Sequence, residues 1–136
     1  MLIVVDANIV FSSLIAGKLT ELFLSDKLEL VAPELLFIEI KKHKSELKNK
    51  SSFSDEDFEI LLSILEKRIK LIPHEEFVSL LPKAEELLGG HKKDAPYISL
   101  ALLLGCPVWS YEKLFKKIGK VESLTTSEVA KYVKSR

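Results

Sequence analysis

Apolar residues recur along this chain in two rhythms. Short runs are apolar at consecutive positions, while longer stretches return an apolar residue every three or four places. The first rhythm marks strands buried on both faces, and the second marks helices with one face on a core. Leu2–Val5 is the clearest short run, and it ends abruptly on Asp6. Glu29–Ala32, Ile69–Ile72, Pro107–Trp109 and Val121–Leu124 read as four more strands. Between them the helical rhythm runs from Ala7 to Ala16, where Gly17 stops it, and from Thr20 to Ser25. Pro33 suits a first helical turn, so a long helix is expected from there to about Lys48. Ser54, with acids after it, starts a helix reaching about Lys67. Glu75 to Leu88 reads as helical with a break at Pro82, and Tyr111 to Ile118 as a short helix. Asp94 caps the very apolar "APYISLALLLG", which Gly105 ends, and Thr125 caps a final helix.

Strands that alternate with helices imply parallel pairing through right-handed crossovers. The expected fold is therefore α/β: a three-layer α/β/α sandwich around a mostly parallel sheet of about five strands. Sheets of this kind bind ligands beyond the carboxyl ends of their strands.

Length and composition narrow the class. At 136 residues the chain fits one domain, expected to span 1–136. A hydrophobic fraction of 47% with 29% charged residues excludes a disordered or fibrous protein. No apolar stretch reaches membrane-span length, and no basic region precedes the first apolar run, so a cytoplasmic protein with no membrane partner is expected. Cys106 is the single cysteine, which rules out an internal disulfide or a cysteine zinc cluster. Twenty basic and twenty acidic residues cancel, so a nucleic acid would have to be held by a local patch. The basic residues are nearly all Lys and Gln is absent, a composition in keeping with a thermophilic source.

Four acids stand where an α/β sheet puts its chemistry. Asp6 follows the first strand and Glu112 closely follows the fourth. Asp94 begins the helix that leads into the fourth strand, and Glu39 is embedded among Phe37, Ile38 and Ile40. Each has a structural alternative. Asp6 and Asp94 can cap helices, Glu39 can pair with Lys42 or His43, and Glu112 can be a solvated surface acid. Carboxylates converging on one rim would repel without a cation between them. Hard divalent ions take oxygen ligands of this kind, and such clusters serve phosphoryl transfer.

The blocks "VVDANIVFSSL", "APELLFIEI", "KDAPYISLAL" and "PVWSYEKLF", in this order, resemble the four signature blocks of PIN-domain nucleases. Together they thread nearly the whole chain. The resemblance implies an endoribonuclease that depends on Mg²⁺ or Mn²⁺. It implies Asp6, Glu39, Asp94 and Glu112 as the catalytic, metal-binding acids, with Asn8 and Ser110 supporting them by hydrogen bonds. Small members of this length resemble VapC-type toxins, which implies a cognate antitoxin as a partner. A homodimer is expected from the resemblance and from the commonness of two-fold dimers. One residue departs from the pattern: the fourth acid is usually Asp and here is Glu112. Its extra methylene moves the carboxylate outward by roughly 1.5 Å, which bears on whether a second ion binds.

Lysines accompany three of the acids in sequence. Lys92 and Lys93 precede Asp94, while Lys113, Lys116 and Lys117 follow Glu112, and these five are candidate RNA-phosphate contacts. Lys41, Lys42 and Lys44 follow Glu39. A solvated lysine-rich face is the structural alternative for each cluster. Tyr111 is the aromatic candidate for stacking a base, with Trp109 and Phe115 read as core. A haloacid-dehalogenase-type phosphatase needs a second Asp where Asn8 stands, and a dinucleotide-binding turn needs glycines that "DANIVFS" lacks. The alternative from another class is a non-catalytic PIN-like module that binds RNA or protein.

Overall fold

The computed structural model describes residues 1–135, and its central strand is the one that opens the chain. β1 (Leu2–Val5) can be apolar throughout because both of its faces are covered, and Ile3, Val4 and Val5 are fully buried. β2 (Glu29–Pro33) and β4 (Val108–Trp109) flank it. β3 (Ile69–Ile72) lies outside β2, and β5 (Ser123–Leu124) lies outside β4. The sheet order is β3-β2-β1-β4-β5, and every pairing is parallel. This is the expected α/β/α sandwich.

The order of strands fixes where a crevice opens. The chain steps outward from β1 to β2 to β3, then returns across the sheet to β4 on the other side of β1. Right-handed crossovers therefore put the intervening helices on opposite faces. α1 (Ala7–Ala16) packs with α4 (Lys44–Lys50) and α5 (Asp55–Arg68). α6 (His74–Phe77) and α7 (Leu81–Leu87) lead into α8 (Ala95–Leu104), which lies on β1, β2 and β4. The loops leaving β1 and β4 thus diverge, and the gap between them is the switch point where open α/β sheets bind ligands.

Several expected elements are relocated. Pro33 does not open a helix; it is the last residue of β2, opposite Ile72. With no N–H, proline is tolerated at the end of a ladder, and the amide of Glu34 makes the next bond, to the Ile72 carbonyl at 3.1 Å. The long helix expected to Lys48 is two helices, α3 (Leu35–Lys42) and α4, separated at His43, whose φ of −104° and ψ of 13° leave the helical region. The turn buries Leu47 and lets Lys44 and Lys48 reach Glu59 of α5 at 2.6 and 2.8 Å. Pro82 sits in the first turn of α7, where its missing N–H costs nothing; the break lies upstream, in a 3₁₀ turn at Val78–Leu80. The second helix is shorter than expected, as α2 (Thr20–Phe23), and strands β4 and β5 are likewise trimmed.

The remaining ends follow the sequence. Ser54 Oγ accepts from the Asp57 amide at 3.1 Å and starts α5, whose Leu61, Leu62 and Leu65 face the protein's own core while Ile60 is 60% exposed. α9 (Lys113–Ile118) starts two residues later than expected, after Glu112 as its N-cap, and stops at Gly119, and α10 (Thr126–Lys134) starts with a capping box between Thr125 and Glu128. Among the described residues no helix is long and apolar enough to cross a membrane.

Gly17 ends α1 at φ +70°, and a Cβ there would run into the Phe53 ring. Gly17→Ala is expected to destabilise the protein by roughly 1–2 kcal/mol or more, from left-handed strain plus overlap, measured by denaturant unfolding. Thr125→Ala should cost about 1 kcal/mol in the same assay by removing a helix cap.

Candidate active site

The register of β1 and β4 brings the first two polar residues together. Val5 is opposite Trp109, so the residues that follow, Asp6 and Ser110, leave the sheet side by side. The Asp6 amide donates to the Trp109 carbonyl at 3.0 Å and the Ser110 amide to the Leu124 carbonyl at 3.1 Å, which hold both turns. Ser110 Oγ then donates to Asp6 Oδ2 at 2.7 Å and accepts from the Glu112 amide at 2.9 Å. Ser110 thus ties the acid after β1 to the backbone carrying the acid after β4.

A cleft of about 190 Å³ opens over this pair, lined by Asp6, Asn8, Glu39, Lys93, Asp94 and Glu112 together with Ala7, Phe11 and Tyr97. Four separate elements deliver the acids: the end of β1, α3, the turn into α8 and the turn into α9. A roomier groove of about 500 Å³ elsewhere is lined largely by aliphatic residues such as Leu2, Leu28, Leu30 and Leu104 and gathers no such set of acids.

Asp6 occupies the N-cap position of α1 but makes no side-chain capping bond, so the helix does not consume its carboxylate. The same holds for Asp94 at the start of α8. Asp6 is only 3% exposed, and among the described residues no Lys, Arg or His forms an ion pair with it. Burial pushes its carboxyl up to about 6; the Ser110 hydroxyl and Ala7 amide oppose that rise, while the charges of Asp94 and Glu112 add to it. Burial also raises Asp94, with Glu112 adding to the effect and Lys93 and His91 opposing it.

The acids share a cleft without closing on one point. Among the described residues no three His, Cys, Asp or Glu side chains are grouped so as to hold an ion. Like charges at a rim stand apart, and Glu112 Oε1 accepts from the Leu114 amide at 3.4 Å, which draws it toward α9 as an N-cap. The donor chemistry fits a hard divalent cation, since every acidic group lining the cleft is a carboxylate. Glu39, Asp94 and Glu112 are all half-buried, and ligation of one ion would require the carboxylates to stand closer together than they do here.

The lysines divide. Lys93 lines the cleft, and Lys92, Lys113 and Lys117 are exposed. Lys116 is committed to the fold, with Nζ 3.0 Å from Glu128 and 2.9 Å from the Ser123 carbonyl oxygen. Lys44 is likewise bound to Glu59. Trp109 and Phe115 are fully buried, whereas Tyr111 is 51% exposed and accepts from Thr126 Oγ1 at 3.2 Å. His43 stands outside the cleft and pairs with Glu46 at 3.7 Å. Tyr97 and Phe11 were not among the sequence candidates. For Tyr97 the usable signal was its spacing, three residues after Asp94 on a helix, which puts both on one side.

A family model described as PIN domain matches residues 4–134. No curated protein matches the chain.

The raised carboxyl of Asp6 yields a test of stability. Its ordinary value is 3.8, against about 6 in the fold, so the unfolded chain gives up this proton first. Stability from this group therefore falls as pH rises from about 4 to about 6 and stays lower above, by up to roughly 3 kcal/mol. Asp6→Asn keeps an acceptor for Ser110 and removes the charge. In EDTA at pH 7.5 it should be more stable than wild type by roughly 2–3 kcal/mol, with the gap closing toward pH 4, as read by denaturant unfolding.

Proposed function

The chain belongs to the PIN-domain family, and from that premise we propose that it is an endoribonuclease dependent on Mg²⁺ or Mn²⁺. One observation carries the reading: a nearly buried carboxylate with no cationic partner among the described residues opens onto a cleft lined by three further acids. Keeping such a group ionised at neutral pH is costly, and a divalent cation is the natural counter-charge.

Asp6, Glu39 and Asp94 would hold the ion, with Glu112 as a fourth donor on the side toward α9. When bound, such an ion supplies an activated water nucleophile and stabilises the charge that develops on the phosphate. Ser110 keeps Asp6 in one rotamer and anchors the backbone at Glu112. Asn8 lines the same cleft and can hydrogen-bond a ligand held there. Lys93 on the cleft wall, with Lys92, Lys113 and Lys117 outside it, would contact RNA phosphates, giving an affinity that falls with salt. The ion pair of Lys116 with Glu128 removes it from that set. Tyr111, half-exposed one residue past Ser110, can stack a base.

The resemblance to VapC-type toxins supports a role as the toxin of a toxin–antitoxin pair, acting in the cytoplasm as a homodimer. Growth arrest on expression, relieved by a small neighbouring gene product that co-purifies with the chain, would test that role. A second reading is supported by Glu112 serving as a helix cap and by the open spacing of the acids. On that reading the chain is a non-catalytic module that binds RNA or protein.

Cleavage of single-stranded RNA separates the two. Activity is expected with Mn²⁺ or Mg²⁺ and none with EDTA. Asp6→Asn should lower the rate by roughly a hundredfold or more, because several kcal/mol of charge stabilisation go with the carboxylate. The extra stability expected of that variant removes unfolding as an explanation. Cleavage that persists in EDTA, or that is indifferent to the substitution, would overturn the assignment.

A further inference from the structure

One residue lining the cleft carries a polar atom that neither the fold nor the proposed chemistry uses. Tyr97 lies on α8, is 2% exposed and lines the acidic cleft. Its hydroxyl is buried and has no hydrogen-bond partner among the described residues. Leaving a buried hydroxyl unpaired is unfavourable, and native folds keep few such groups without a use. Burial, followed by the negative charges of Glu39, Asp6 and Asp94, holds this phenol far above its ordinary value, so it is a hydrogen-bond donor at any working pH.

Glu39 is the matching half. It projects from α3 into the same cleft and is half-buried, and its carboxylate has no hydrogen bond or ion pair among the described residues. Of the three charges that reach the phenol, that of Glu39 acts most strongly. Asp6 already has its donor in Ser110. Two residues lining one small cavity thus carry an unpaired donor and an unpaired acceptor; Asp94 has no orienting partner either, but the charge of Glu39 acts more strongly on the phenol.

We propose that Tyr97 is a positioning residue for Glu39. Its hydroxyl would donate to the Glu39 carboxylate in the metal-loaded site, fixing Glu39 as Ser110 fixes Asp6. The inference rests on the metal-site reading given above. Carboxylates that ligate metals are themselves held by outer hydrogen bonds, and removing such a partner weakens metal binding by about 10–100-fold.

The experiment is calorimetric titration of the whole protein with Mn²⁺, in wild type, Tyr97→Phe, Glu39→Gln and the double variant, beside thermal melts in EDTA. Tyr97→Phe is expected to bind Mn²⁺ about tenfold or more weakly. It should melt at or above the wild-type temperature, because it deletes an unpaired group. In the Glu39→Gln background it should cost no further affinity, the non-additivity expected of two groups acting as one. Unchanged Mn²⁺ affinity in Tyr97→Phe would overturn the proposal. So would an equal further loss in the Glu39→Gln background, or a clearly lower melting temperature in EDTA, which would reveal a structural partner for the hydroxyl. A wild type that binds Mn²⁺ but cleaves no RNA would defeat the nuclease reading alone, leaving these affinities to support Tyr97. One that binds no Mn²⁺ would defeat this inference as well.

Discussion

A carboxylate held almost out of water, at the end of a strand buried on both faces, is the constraint on which the rest of this structure turns. Asp6 cannot retreat, because the β1–β4 register fixes its backbone against Trp109. No neighbour neutralises it: among the described residues no cation forms an ion pair with it, although Lys93 lines the same cleft. The hydroxyl of Ser110 relieves part of the cost, and the charges of Asp94 and Glu112 restore it. A core built on fully buried residues such as Ile3, Val4, Leu36, Ile98 and Trp109 can tolerate one unfavourable group of this size. Natural folds accept such costs at functional positions, which is why the misfit points to chemistry rather than to packing.

Two of the helices build the core with one set of side chains and the site with another. α8 does both at once: Ile98, Leu100 and Ala101 seal it against the sheet, while Asp94 and Tyr97 at its opening turn face the cleft. α3 repeats the pattern, with Leu36, Phe37 and Ile40 buried and Glu39 presented to the cleft. Glu39 and Asp94 are thus fixed to elements whose position is set by apolar burial rather than by the acids' own interactions. These two reach the cleft without having to hold the structure together, while Glu112 also caps α9 and Asp6 is tied to Ser110.

Much of this was legible in the residues. β1 and β3 could be read because short, branched apolar runs have few other solutions. Gly17, Gly105, Ser54 and Thr125 marked helix ends through conformational or capping demands that act locally. Pro33 misled because proline suits both a first helical turn and a last strand residue, and only the pairing with Ile72 decides between them. The break at His43 was hidden for a related reason. It buries Leu47 and brings Lys44 and Lys48 to Glu59 of α5, contacts with no local signature. The gathering of Asp6, Glu39, Asp94 and Glu112 at one cleft could be anticipated from strand ends. The capping bond from the Leu114 amide to Glu112 could not, since it depends on a side-chain direction that periodicity does not encode, whereas Tyr97 could have been reached from its helical spacing to Asp94.

Trp109 is the protein's single tryptophan, fully buried, with Nε1 donating to Thr126 Oγ1 at 3.0 Å and its ring 5.1 Å from that of Phe23. It is also the residue immediately before Ser110. Nature has therefore installed an optical sensor at the edge of the acidic cleft. Its emission reports on one place only, the junction where β4, α2 and α10 meet beneath the site, so shifts in colour or intensity on adding ions can be read locally without attaching a dye.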